Sequence, residues 1–185
     1  KVILYSGNMG KSHDIKSILG SALILKDYDD IIFLMIGHGE EFNNCIKFKK
    51  KNALSNIKIF PFQPEELIPY TFPMADIALV TQDDGMEELM VPSKFAFYLA
   101  SGAALIGITK PGSEIHDIIN DNELGLVVNP NDPNSLASSI LKILNNSDKF
   151  DLMRYKARKY SLKYLSMRNG INLFNNNLNK NNFNK

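Results

Sequence analysis

Ala75-Asp76-Ile77-Ala78-Leu79-Val80, followed by Pro92-Ser93-Lys94, Ala100-Ser101-Gly102 and Ala104-Leu105-Ile106-Gly107-Ile108, is the stretch that decides the fold. Two short apolar runs flank a segment that opens on proline and closes on glycine. That order reads as strand, helix, strand. Proline suits a first helical turn, where its missing N–H is not needed. The free N–H groups of that turn face the space beyond the strand ends. With Ser93 and Lys94 beside them, they form an expected anion site. A second such loop, Gly7-Asn8-Met9-Gly10-Lys11, follows the first strand. Two basic, helix-opening loops on one parallel sheet point to a diphosphate ligand.

Working outward, strand and helix signals alternate along the chain. Strands are expected over 2–6, 31–36, 57–60, 77–80, 104–108 and 124–128. Helices are expected over 12–26, 40–52, 64–72, 92–101, 114–120, 134–146 and roughly 149–166. Ile15, Ile18, Leu19 and Leu23 share one face of the first helix, and Asp132 is the expected N-cap before Pro133. Purely apolar strands separated by single helices imply a parallel sheet covered on both faces. The fold class is therefore α/β: a doubly wound, Rossmann-like parallel sheet of about six strands, with ligands beyond the carboxyl ends at the switch point. This domain is expected over residues 1–168. The stretch 169–185, Asn- and Lys-rich from Asn172 to Lys185, buries little and is expected to be a frayed tail, or else to dock on another domain.

The chain has 185 residues, 44% of them hydrophobic, with a net charge of +1. A balance so close to neutral gives no electrostatic case for a nucleic-acid partner. Cys45 is the only cysteine, so no disulfide forms within the chain; one thiol and three separated histidines, His13, His38 and His116, suggest no metal site. No apolar run approaches the ~20 residues of a membrane span, and no signal peptide is visible. The chain opens directly on a core strand without an initiator Met, so a fragment cut at a domain boundary is expected.

The Gly7–Lys11 loop lacks the third glycine of a dinucleotide fingerprint and the upstream glycine of a P-loop. Gly7 would admit a ligand close to the backbone, and Lys11 could reach a phosphate; a tight turn with an exposed lysine is the alternative. Phe60-Pro61-Phe62-Gln63-Pro64 could hold a flat base against Phe62, or serve as a hydrophobic plug. Pro111-Gly112-Ser113-Glu114 again joins a strand end to a helix start. There Glu114 could accept sugar hydroxyls or simply suit a first helical turn.

Taken in order, Tyr5-Ser6-Gly7-Asn8-Met9-Gly10, Ile36-Gly37-His38-Gly39, Pro61-Phe62-Gln63-Pro64, Ala75-Asp76-Ile77, Pro92-Ser93-Lys94, Ala100-Ser101-Gly102, Pro111-Gly112-Ser113-Glu114 and Gly125-Leu126-Val127-Val128 form a recognisable set. From residue 1 to about 168 the chain resembles the C-terminal, donor-binding half of a family-four glycosyltransferase of the GT-B fold, of the bacterial surface-polysaccharide group. The resemblance implies a nucleotide sugar as substrate, no cofactor and no obligatory metal. It implies retaining transfer to a glycan or lipid-linked acceptor, in a cleft completed by an N-terminal acceptor domain. The cytoplasm, at or near the inner face of the membrane, is the expected location. Gly7, Asn8, Lys11, Ser93 and Lys94 would face the diphosphate and Phe62 the base; Gly112, Ser113 and Glu114 complete the expected donor-binding set. Asn8 stands where the family commonly has a basic residue, leaving Lys11 as the substitute. The family's two glutamates, eight positions apart, fall at Leu89 and Phe97. Glu87 and Glu88 adjoin the first, and Glu88 is the candidate ribose ligand. Two rivals share the architecture: a non-catalytic scaffold descended from the fold, and half of a sugar-nucleotide epimerase.

Overall fold

The computed structural model describes residues 1–11, 13–81 and 93–171. Its strands are β1 (Val2–Asn8), β2 (Ile32–His38), β3 (Ile57–Phe60), β4 (Ile77–Thr81), β5 (Ala104–Ile108) and β6 (Gly125–Val128). All pair in parallel in the order β3-β2-β1-β4-β5-β6, so the chain reverses its direction of winding between β1 and β4. The expected doubly wound sheet is present.

The apolar runs serve two cores at once. Ile3, Tyr5, Phe33, Met35, Ile77, Leu79 and Ile106 belong to one buried cluster, and Leu4, Leu34, Ile36, Ala78, Val80 and Leu105 to the other. Neighbouring residues of a strand point to opposite faces, so both faces must be covered. On the first face lie α1 (Ile15–Ile24) and α6 (Pro133–Leu144), with Cys45 of α2 (Phe42–Lys51) beside them. The α1–α6 contact is close: a Cβ on Gly20 would stand 2.7 Å from Pro133 Cβ. The short α3 (Ile68–Thr71), with α4 (Ser93–Ser101) and α5 (Glu114–Asp121), covers the second face through Ile68, Phe95, Tyr98, Leu99, Ile115 and Ile119.

The last long helix, α7 (Ser147–Tyr160), places Phe150 in the first core and Ala157 in the second. It crosses at the amino ends of the strands. Arg154 Nε donates to Gly102 O at 3.0 Å, and its Nη1 lies 3.8 Å from Asp76. Asp76 also accepts the Val2 N–H at 2.8 Å and pairs with Lys1 at 3.4 Å. One carboxylate thus ties β1, β4 and α7 together, leaving the carboxyl ends free for ligand loops.

Several boundaries differ from the sequence expectation. β1 and β2 run on through Gly7 and Gly37, which pair with each other in the ladder. The helix expected over 64–72 is broken into a tight turn at Glu65–Leu67, α3, and another at Phe72–Met74. Pro69 and Pro73 remove the N–H groups that a continuous helix would need. The helix expected to 166 ends at Tyr160 and opens into a wide π-type turn over Ser161–Leu165. Asp132 caps α6 as expected, accepting the Ser135 N–H at 2.9 Å.

Candidate functional site

The β1–β4 pairing joins Ile3 to Ile77 and Leu4 to Ala78, while both strands continue further. Beyond Leu4, the edge of β1 that faces β4 is met by a side chain. The Tyr98 hydroxyl accepts the Ser6 N–H at 2.8 Å and donates to Ser6 O at 3.2 Å. Tyr98 is 2% exposed, so its ring stands in the sheet as a wedge and satisfies backbone groups that β4 does not. Burial pushes its phenol far above the ordinary tyrosine value, so it remains a neutral hydrogen-bonding group. The crevice at this switch point is where α/β sheets hold ligands.

Two cavities open there and share Ser6 and Lys94 as walls. The larger, about 330 Å³, is lined by Gly7, Asn8, His13, Thr81 and Ser93, among others. The smaller, about 100 Å³, is apolar, with Phe62, Ile36, Ile68, Phe72 and Phe97 around it. Lys94 sits at their junction. Its Nζ lies 3.5 Å from where a Cβ on Gly7 would stand and 5.1 Å from the Phe62 ring centroid. Half-burial holds its ammonium below the ordinary lysine value. Three of the expected residues, from three segments distant in sequence, therefore meet at one point: Gly7, Phe62 and Lys94. Asn8 and Ser93 line the larger cavity beside them.

The glycine loop is held by its neighbour. Met9, fully buried, donates its N–H to His38 O at 2.8 Å and accepts the Glu41 N–H at 2.8 Å. Gly39, at φ +147°, permits this: a Cβ there would stand 2.5 Å from Met9 O and 2.6 Å from Asn8 Oδ1.

Other expected residues lie elsewhere. Lys11 is exposed, pairs with Glu40 at 3.1 Å and lines neither cavity. Gly112, Ser113 and Glu114 line neither cavity as well. Gly112 takes φ +82°, in the region that favours glycine. Ser113 is buried, and its hydroxyl caps α5, accepting the His116 N–H at 3.1 Å and the Thr109 hydroxyl at 2.9 Å. Glu114 is exposed in the first turn of α5. Glu87, Glu88, Leu89 and Pro92 lie outside the described residues. Phe97 is 46% exposed, 5.6 Å from the Phe72 ring, on the wall of the apolar cavity and not in the core.

Sequence reasoning passed over two residues. His13 lines the larger cavity, its Nδ1 3.0 Å from the Thr81 hydroxyl. Its only signal was its place just after Lys11. Tyr98 lies on the apolar face of α4 with Phe95 and Leu99, and only its hydroxyl marked it as different.

The sequence profile of the family described as Glycosyl transferases group 1 matches residues 1–160. The chain belongs to that family. It is 30% identical over 143 residues to the probable glycosyltransferase WbjE of Pseudomonas aeruginosa, covering 77% of this chain and 36% of WbjE. It is 28% identical over 145 residues to the putative colanic acid biosynthesis glycosyl transferase WcaI of Escherichia coli K12, covering 78% of this chain and 35% of WcaI. This group 1 glycosyltransferase chain therefore spans about a third of the length of the curated relatives it matches. Anabaena HepE, solved in complex with UDP and glucose, superposes with a TM-score of 0.78 at 12% identity, covering 97% of this chain and 48% of HepE. That likeness shows that the fold is the one found in GT-B glycosyltransferases. Among the described residues of this glycosyltransferase domain, no helix is long and apolar enough to cross a membrane.

Proposed function

We propose that this domain is the donor-binding half of a retaining glycosyltransferase that moves a sugar from a nucleotide sugar to a glycan or lipid-linked acceptor. The observation that carries the reading is the junction at Lys94. A larger cavity at the end of β1, where Asn8, His13, Thr81 and Ser93 supply polar groups, and an apolar cavity beside Phe62 share Lys94, which suits a ligand with a diphosphate at one end and a flat base at the other. Lys94 and the first turn of α4 would stabilise the charge that develops on the departing diphosphate, with no metal required. A relative named for colanic acid biosynthesis, and a fold neighbour solved with UDP and glucose, support the same direction. An N-terminal domain would supply the acceptor side of the cleft. The reaction would run in the cytoplasm, at the membrane face when the acceptor is lipid-linked. Residues 1–168 form the binding domain in this reading, and 169–185 a tail outside it.

The test is a titration of the chain with UDP and GDP, followed by amide NMR shifts. Shifts concentrated at Gly7, Asn8, Phe62, Ser93 and Lys94, with affinity of about 0.1–1 mM, are expected. If neither nucleotide moves these resonances at several times that concentration, the reading fails.

A further inference from the structure

The last long helix does more than fasten the strands. Residues 147–165, which span α7 and the π-type turn after it, carry six basic side chains against two acidic ones. The whole chain has a net charge of only +1, so the remainder is net acidic. The charges are also sorted by position. At 3.6 residues per turn, Lys149, Lys156 and Lys159 fall within roughly a quarter turn of one another, whereas Asp148 and Asp151 fall to the outer side of that sector. Lys163 continues the row in the π-type turn. Two cavities run beside it, one of about 330 Å³ at Lys149 and Leu152, the other of about 180 Å³ at Lys156, Lys159, Lys163 and Tyr164. The turn between α5 and β6 closes both on the far side through Asn122, Glu123 and Leu124. Lys156 pairs with Glu123, while Lys149, Lys159 and Lys163 make no ion pair with another described residue. Lys159 instead lies over the Tyr155 ring at 5.7 Å, and Lys163 over the Tyr164 ring at 4.7 Å. Apolar groups are open to solvent along the same side: Leu152 is 48%, Tyr155 62% and Tyr164 50% exposed.

We propose that this face of α7 docks on an anionic membrane surface. The argument is complementarity of both charge and polarity. A free phosphate would satisfy the lysines and leave Leu152, Tyr155 and Tyr164 in water. The boundary of a bilayer takes both kinds of group: the ammonium groups meet lipid phosphates, and the apolar bodies enter the headgroup region below them. The basic end of α2 is the contrast within the chain. Lys47, Lys50 and Lys51 are exposed there, but no large apolar side chain of that helix is. It is a solvated helix end, favourable to the dipole and nothing more. The α7 face lies at the end of the sheet away from the ligand loops, so a bilayer seated on it leaves the switch-point crevice open. The proposal stands independently of the donor-site reading.

The experiment is co-sedimentation of the chain with two vesicle preparations, phosphatidylcholine alone and phosphatidylcholine with an equal part of phosphatidylglycerol. Binding is expected with the second only, and should weaken as salt is raised. The triple variant K149Q/K159Q/K163Q should weaken it about tenfold or more, since each lysine near an anionic surface is worth about fivefold. K47Q/K50Q/K51Q removes the same charge and should leave binding nearly unchanged. Leu152→Ser combined with Tyr155→Ser should weaken it several-fold at constant charge. All these positions are exposed, and thermal unfolding of each variant checks that the fold is kept. Equal losses from the two lysine triples would reduce the effect to adsorption of any basic segment and overturn the proposal. An unchanged Leu152 and Tyr155 double variant would overturn the lipid as occupant. Failure to sediment with phosphatidylglycerol vesicles at low salt would overturn the proposal outright and leave the face to a protein partner. UDP titration of the same samples keeps the two readings apart: loss of one kind of binding leaves the other standing.

Discussion

Lys94 carries more of the proposed site than any other side chain. It is half-buried between Gly7 and the Phe62 ring, whereas Lys50 lies exposed in the last turn of α2. Lys94→Ala should weaken nucleoside diphosphate binding about ten- to hundred-fold, the value of a charge-assisted hydrogen bond to phosphate, and Lys50→Ala should leave it unchanged. Equal losses in calorimetric titrations of the two variants would reduce the effect to nonspecific attraction. Tyr98 makes a different kind of prediction. Tyr98→Phe keeps the ring but leaves the Ser6 N–H and C=O buried without their hydroxyl. The loss should be about 1–3 kcal/mol in chemical denaturation. A smaller cost would mean that water replaces the phenol in the crevice.

Among the elements, α1 shows how one side chain can join two parts of the rim. Asp14 Oδ1 caps the helix through the Ser17 N–H at 3.1 Å, and Oδ2 accepts the Asn131 N–H at 2.7 Å, where Asn131 takes φ +61°. Asp14→Ala should cost about 1–2 kcal/mol, and Asp14→Asn less, because the amide keeps one acceptor but not both. Equal midpoints for the two variants in urea would remove the second bond from the account. Elements of this kind were legible in the sequence where local chemistry alone decides them. β3 and β5 ended where their apolar runs ended, and Asp132 capped α6. Glycine misled where pairing overrides punctuation. Gly7 and Gly37 read as strand ends, yet a Cβ on Gly37 would stand 1.8 Å from Gly7 O, so here glycine is what lets two strands touch. Pro69 and Pro73 were visible but were weighed too lightly against the two glutamates at a helix start. In the site, Gly7, Phe62 and Lys94 were legible because each lies at or beyond the carboxyl end of a strand of a parallel sheet. The capping role of Ser113 and the wedge at Tyr98 were not, since both depend on partners that only the folded chain brings near.

At the scale of the whole molecule, two buried acids set the alkaline limit. Burial raises the Cys45 thiol from 9.0 to about 11 and raises the Tyr98 phenol in the same direction. The unfolded chain therefore loses these protons first. Stability from Cys45 is fully present below about pH 9 and is lost as pH rises toward 11, by at most about 1.4 kcal/mol per pH unit. Denaturant midpoints measured from pH 7 to 10.5 should fall more steeply for the wild-type chain than for Cys45→Ala; parallel curves would contradict this. A second expectation concerns activity. The chain should bind nucleotide but not transfer sugar by itself, because transfer needs donor and acceptor held from both sides of a cleft. Sugar transfer by the purified chain alone would refute that. The strap of α7 beneath the sheet has one more consequence. Asp76 and Arg154 fasten β1, β4 and α7 at the end of the sheet away from the ligand loops. Anchorage and recognition are thus separated along the strand axis, as a brush keeps its bristles apart from its binding. In the proposed site, exchanging a rim segment such as 61–63 should therefore alter which base is accepted at little cost to folding, so the same scaffold could be refitted to a new ligand by changing its rim alone.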